Sequence, residues 1–234
     1  MKKLFIAAFV FASFGAFAQR TVDHQFNSWW TYAGNHKISK KFSVHTLYSF
    51  RRNDFLKNWQ QSLTRVGITY KIAPNLNFTL GGDWVVTFPY GKQPIAEKTT
   101  EYRVFGQFVL KNGIGRVAIT QRFRVAEQII LHSAGTIKVG RFRHRIAFRV
   151  PINNTTFTDG TFFAAAYNEI FVNFGGPFEV PKFDQNWAFI GAGYKFNSKL
   201  SLLVGYMNQY IIKLDDVHIE SNNTLSTVLV YNLF

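Results

Sequence analysis

The 234-residue chain has no cysteine. That absence excludes structural disulfides, thiolate metal sites and a lipid anchor on an N-terminal cysteine. Acidic residues are scarce, 13 Asp+Glu against 27 Lys+Arg, for a formal charge of +14. The six histidines show neither H-x-x-x-H nor H-E-x-x-H spacing, which removes the usual sequence pointers to a zinc site. Gly113-x-Gly115 and Gly191-x-Gly193 lack a following helical pattern and read as glycines in strands rather than a nucleotide loop. No cofactor is expected. After the first residues there is no long apolar run either, so the chain holds no candidate membrane-spanning helix beyond its N-terminus.

That N-terminus has three parts. Lys2 and Lys3 are basic, Leu4 to Phe14 is apolar, and Ala16-Phe17-Ala18 forms a small-x-small site before Gln19. This is the pattern of a cleaved secretory signal peptide over residues 1–18, with an apolar run too short for a spanning helix. Its loss leaves 25 basic against 13 acidic residues, a formal +12. A basic, aromatic-rich cytosolic protein would suggest nucleic acid. Export removes that partner.

What the chain has in abundance is aromatic residues: 26 Phe, 10 Tyr and 5 Trp, yet a mean hydropathy of only −0.04. Both hold when apolar and polar residues alternate, the composition of strands with one face toward lipid. The clearest alternation lies between Ile114 and Val150. Arg116, Arg122 and Arg124 share a side with Ala118 and Thr120, opposite Val117, Ile119, Phe123 and Val125. Arg141, Arg143, Arg145 and Arg149 share a side opposite Phe142, His144, Ile146 and Phe148. A period of two places successive side chains on opposite faces of a strand, whereas a helix would scatter these arginines around its circumference.

The same pattern repeats from Phe26 to Phe234, with turn signals at Ala73-Pro74-Asn75 and Asn112-Gly113. About eleven segments are visible, each near the ten residues that a tilted strand needs to cross a bilayer. Single-chain bacterial barrels have even strand numbers. The fold expected is therefore an all-β, antiparallel transmembrane barrel of ten or twelve strands over residues 19–234, in the outer membrane. Lipid, lipopolysaccharide and, during biogenesis, the barrel-assembly machinery are the partners that follow.

Arginine facing lipid at the bilayer midplane costs about 2–4 kcal/mol, so rows of arginine must look inward. Arg65, Arg103, Arg116, Arg122, Arg124, Arg141, Arg143, Arg145 and Arg149 then crowd one lumen, with Asp83, Glu101 and Glu169 on matching faces as counter-charges. Guanidinium groups bind carboxylate and phosphate bidentately, so a small anionic solute is the expected ligand, either passing through or bound.

Several segments also carry a resemblance. They include Trp29-Trp30-Thr31-Tyr32, Gln121-Arg122-Phe123-Arg124-Val125-Ala126-Glu127-Gln128, Ala166-Tyr167-Asn168-Glu169-Ile170-Phe171-Val172-Asn173 and Gly191-Ala192-Gly193-Tyr194-Lys195-Phe196. Together with Arg141-Phe142-Arg143-His144-Arg145 and Gly205-Tyr206-Met207-Asn208-Gln209, they resemble the family called domain of unknown function 2490, common in the Bacteroidetes group. The resemblance implies an exported, barrel-like protein and brings no activity or site residue with it.

Three alternatives stay open on sequence. The interior is plugged by its own side chains, as narrow barrels often are. A lipid hydrolase would use a histidine, with His144 on the expected lipid face and His45 on the lumen face, although neither has a local serine and acid, and no enzyme is expected. A soluble lipocalin-like carrier would invert the faces, with arginines outside.

Overall fold

The computed structural model of the protein describes residues 21–91, 97–177, 180–213 and 217–233. The leader read in residues 1–18 lies outside these. The described residues form eleven strands and no helix: β1 (Thr21–Lys37), β2 (Phe42–Asn53), β3 (Asn58–Ala73), β4 (Leu76–Thr87), β5 (Thr99–Ile114), β6 (Val117–His132), β7 (Gly135–Pro151), β8 (Thr161–Phe174), β9 (Phe183–Lys195), β10 (Leu200–Ile212) and β11 (His218–Tyr231). They close into a barrel in chain order.

The count corrects the expected ten or twelve. Consecutive strands pair antiparallel, so the eleventh runs in the same direction as the first. A parallel ladder from Thr21↔His218 to Ala33↔Val230 closes the seam. Closure leaves no strand edge to pair with another chain. The seam is pinned at one end by side chains. Asn35 N–H donates to Asn232 Oδ1 (2.8 Å), and Leu233 N–H donates to His36 Nδ1 (3.2 Å). With Nδ1 accepting, the neutral ring carries its proton on Nε2, which meets the Tyr32 and Thr46 hydroxyls at 3.0 and 2.9 Å.

Turns at residues 38–41, 74–75, 115–116, 152–160 and 196–199 define what we call the upper rim, where the C-terminal end also lies. The start of β1, residues 54–57 and 133–134, and the described residues of the connections after β4, β8 and β10 make the lower end. Long and short connections occur at both ends. The expected Asn112-Gly113 turn moves three residues on, to Gly115-Arg116. Asn112 and Gly113 stay in β5, paired with Ile119 and Ala118, and Gly115 (φ +56°) takes the left-handed turn position in open space. β6 and β7 are joined by Ser133 and Ala134 alone.

Alternation then sorts the side chains. Val66, Ile68, Leu80, Trp84, Val104, Phe108, Val125 and Ile190 are exposed on the outside. Arg65, Asp83, Glu101, Arg124, Arg143 and Glu169 are buried inside. The outer band is interrupted toward the lower end by amides on β8 to β11. There Asn168 and Asn186 bond each other (3.1 Å both ways), and Asn208 donates to Ser221 (3.0 Å). Inside, part of β8 to β1 carries an apolar cluster of Trp29, Phe163, Ala165, Phe189 and Met207. Its packing depends on glycine. A Cβ at Gly191 would stand 2.7 Å from the Phe189 ring, which lies over the Gly191↔Gly205 pair.

Candidate functional site

Three strand faces, β3 to β5, set the densest ion pairing. Arg65 grips Asp83 through two parallel bonds, Nε to Oδ1 at 2.6 Å and an Nη to Oδ2 at 2.7 Å. Arg103 does the same with Glu101 (2.6 and 2.7 Å) and stands 3.7 Å from Asp83. Gln128 donates to the same Glu101. Two-pronged pairs of this kind fix direction as well as charge. Across the barrel Glu169 on β8 receives Arg122 (2.6 Å) and Arg143 (2.8 Å), and Arg141 meets Asp184 at 3.2 Å. Arg124 is 1% exposed and donates to Gln107 Oε1 from two nitrogens; its nearest carboxylate, Asp83, is 3.9 Å away.

Three further arginines face the interior without an acid partner among the described residues. Arg51 stacks over Trp29 at 3.7 Å and donates to Gln61 (2.6 Å). Arg145 lies over Tyr167 at 5.0 Å, and Arg149 over Phe163 at 5.8 Å. Aromatic faces attract cations and leave the guanidinium edge free to donate. Trp29 and Trp187 meet edge to face (5.1 Å), with Arg51 against one side of the pair and Arg143 stacked between Phe171 (4.2 Å) and Trp187 (5.4 Å). This layer crosses the barrel as a floor.

From the upper rim a cavity of about 1000 Å³ reaches this layer and passes beside it, since Gln185, Gln209, Ile211 and Lys213 also line it. The space exists because side chains nearer the upper rim are small: Ala33, Thr79, Val109, Thr120, Ala147, Ala165 and Val228 line it with Leu47 and Leu203. At the mouth stand Lys37, Lys40, Lys41, Lys71 and Lys111, whereas Glu169 and Glu220 are the only carboxylates on the wall among the described residues. Toward the lower end polar side chains crowd the lumen. Tyr90, from the connection after β4, reaches inside and donates to Glu220 Oε2 (3.1 Å), which also pairs with Lys213. Beyond it Gln25, Asn27, Asn53, Asn173 and Asn222 are buried, with Asn53 donating to Asn27 Oδ1 (2.8 Å). The shape is a cup.

Of the residues singled out from sequence, Arg65, Arg103, Arg122, Arg141, Arg143, Arg145, Arg149 and Glu169 line the cavity. Arg124, Asp83 and Glu101 face inward but sit behind the wall, engaged in the pairs above. Arg116 is the correction. Because the turn slides to Gly115, Arg116 falls in it, exposed, and donates to the carbonyl oxygens of Pro151 (2.7 Å) and Asn154 (2.7 Å) on the neighbouring upper connection. Sequence reasoning missed Arg51, Trp29 and Trp187 on the floor, Asp184 as the partner of Arg141, and Tyr90. Arg51 had a signal, since it continues the alternation that turns Leu47 and Ser49 inward.

His144 lies on the outer face, stacked on Phe123 at 4.5 Å, with no hydrogen-bond partner for Nε2. His45 lines the cavity and its Nδ1 meets Asn35 Oδ1 at 3.0 Å. Neither pairs with a serine or a carboxylate among the described residues. No cluster of His, Asp or Glu among them could hold a metal ion.

No curated protein matches the chain. Among solved structures the chain is similar to the siderophore receptor PirA from Pseudomonas aeruginosa, with 9% identity and a TM-score of 0.32 over 75% of this chain. It spans about a third, 32%, of that receptor's length. The match that covers most of this sequence, residues 26–218, is to the family described as protein of unknown function (DUF2490), and the chain belongs to it.

Proposed function

We propose that the protein is an outer-membrane β-barrel whose lumen is a one-ended cup for a small anionic solute, with no catalytic role. The observation that carries this reading is the excess of cation on the cavity wall. Arg51, Arg145 and Arg149 have no carboxylate partner among the described residues, and lysines ring the mouth. Fixed guanidinium groups in a confined, low-dielectric space attract an anion more strongly than they would in water. An open channel for the same solutes fits less well, because the floor and the packed amides below it interrupt the path.

The membrane setting is supported by the outer face. Val66, Leu80, Val104 and Ile190 each keep about half or more of their surface exposed (54%, 58%, 63% and 66%). In water each such side chain forgoes roughly 1.5–3 kcal/mol of burial; hydrocarbon removes that loss. A soluble carrier needs the opposite arrangement, with greasy residues inside and arginines wetted. Export by the N-terminal leader, insertion by the barrel-assembly machinery and contact with lipopolysaccharide and phospholipid belong to the same reading.

One observation favours a purely structural interior as a second reading: Arg65, Arg103, Arg122 and Arg143 are already engaged by Asp83, Glu101 and Glu169. Titration calorimetry on protein in lipid nanodiscs separates the two. Benzoate should bind saturably and its isosteric cation benzylammonium should not, with Arg145→Gln weakening benzoate. No heat of binding for either, with folded protein, leaves the structural interior. Planar bilayers should show no steady conductance.

A further inference from the structure

Depth inside the cup changes the make-up of its wall. Ala33, Leu47, Val109 and Ala147 stand four or five residues from the upper ends of their strands, at Lys37, Phe42, Ile114 and Pro151. With Leu203 and Val228 they make up the apolar part of a collar whose β3, β4 and β6 faces carry Thr69, Thr79, Thr120 and Arg122. Arg145 and Tyr167 lie six residues deep, and Trp29, Arg143, Trp187 and Arg51 eight or nine. At about 3.3 Å per residue along a tilted strand, the cationic floor is roughly 10 Å below the mid-collar. A hydrated inorganic anion would meet the floor but leave the collar wetted, with its apolar surface facing water.

We infer that the solute is an amphipathic acid, held head-down with its anionic group at Arg145 and Arg51 and its hydrocarbon body in the collar of Ala33, Leu47, Val109, Ala147, Leu203 and Val228. The inference rests on the anion-binding reading above and adds the apolar body. The lysines at the mouth act on the way in: they draw the charged head toward the rim, and the collar then admits the tail behind it. The cavity volume, about 1000 Å³, exceeds what a bare carboxylate or phosphate fills and is in the range of a drug-sized ligand.

The test compares heads and bodies separately on the full protein in nanodiscs, with protein-free nanodiscs subtracted for partitioning. Octanoate carries both parts, acetate and inorganic phosphate the head alone, and 1-octanol the body alone. Octanoate should bind at least tenfold more tightly than each of the others. Ala147→Phe, which fills the collar, should weaken octanoate at least tenfold and leave phosphate within twofold; Arg145→Gln should weaken both. Heat-dependent gel migration confirms that each variant is folded, and Val109→Phe supplies a second collar-filling variant where Ala147→Phe fails that check. Acetate or phosphate binding as tightly as octanoate overturns the amphipathic body and leaves the anion cup standing. Octanol binding as tightly as octanoate overturns the acid head. Absence of binding by octanoate, acetate and phosphate alike sinks the inference together with the cup.

Discussion

Arg65 and Asp83 face each other across β3 and β4 and share two hydrogen bonds, 2.6 and 2.7 Å long, with both side chains buried. Removing one partner of such a pair leaves the other as an uncompensated charge, a loss of about 3–5 kcal/mol. Asp83→Asn should therefore lower the urea midpoint of the detergent-folded barrel by that free energy. Arg65→Met combined with Asp83→Leu should recover most of it, since a buried pair and a packed apolar pair are often near equal.

Arg122 and Arg145 are neighbours across β6 and β7 and differ in partner. Arg122 bonds Glu169, whereas Arg145 rests on Tyr167. Arg145→Gln should weaken anion binding about tenfold, the worth of one charge-assisted hydrogen bond, and change stability by less than about 1 kcal/mol. Arg122→Gln should lower stability by more than that. Calorimetric affinity and urea unfolding measured on the same two variants check the contrast.

Tyr90 closes the lower side of the floor through its bond to Glu220. Tyr90→Ala should give single-channel events in planar bilayers with a preference for anions, where the parent shows none. Burial, with the Glu220 charge second, pushes the Tyr90 hydroxyl above the ordinary tyrosine range. A raised folded value favours the protonated form, so its contribution is complete below about pH 10, the unfolded tyrosine value, and falls as the pH rises above it. Parent protein should accordingly stay non-conducting through neutral pH.

The outer face offers an independent check. Val104 is 63% exposed near the middle of β5. In a bilayer Val104→Arg should cost about 2–4 kcal/mol. Folding free energies measured in lipid vesicles test this; a change within about 0.5 kcal/mol, typical of a water-exposed site, would speak for a soluble barrel.

Much of this architecture could be read before any coordinates because the strand period is insensitive to where a strand ends. The inward set Arg122, Arg124 and Arg141, Arg143, Arg145 keeps its face however the turns slide. Arg116 shows where that insensitivity stops: a shift of three residues in the hairpin turned a lumen residue into a cap on carbonyls of the next connection. Asn-Gly is a strong turn signal, but nothing local said that Gly115 would outcompete it. The parity argument failed for a different reason, since a parallel closing pair between β1 and β11 is a tertiary relationship with no local trace. The apolar side of the interior was equally hidden. Phe163, Phe189 and Met207 fall inward on strands whose opposite faces also carry apolar residues, so alternation alone did not assign them.

The lack of native cysteine makes the central claim directly measurable. Ala147→Cys places one thiol in the collar, where negatively and positively charged methanethiosulfonates of equal size compete for the same approach. The cup predicts that the negatively charged reagent reacts at least about tenfold faster at low salt, with the ratio shrinking as salt is added. Equal rates, or a faster positively charged reagent, would contradict an anion-drawing lumen.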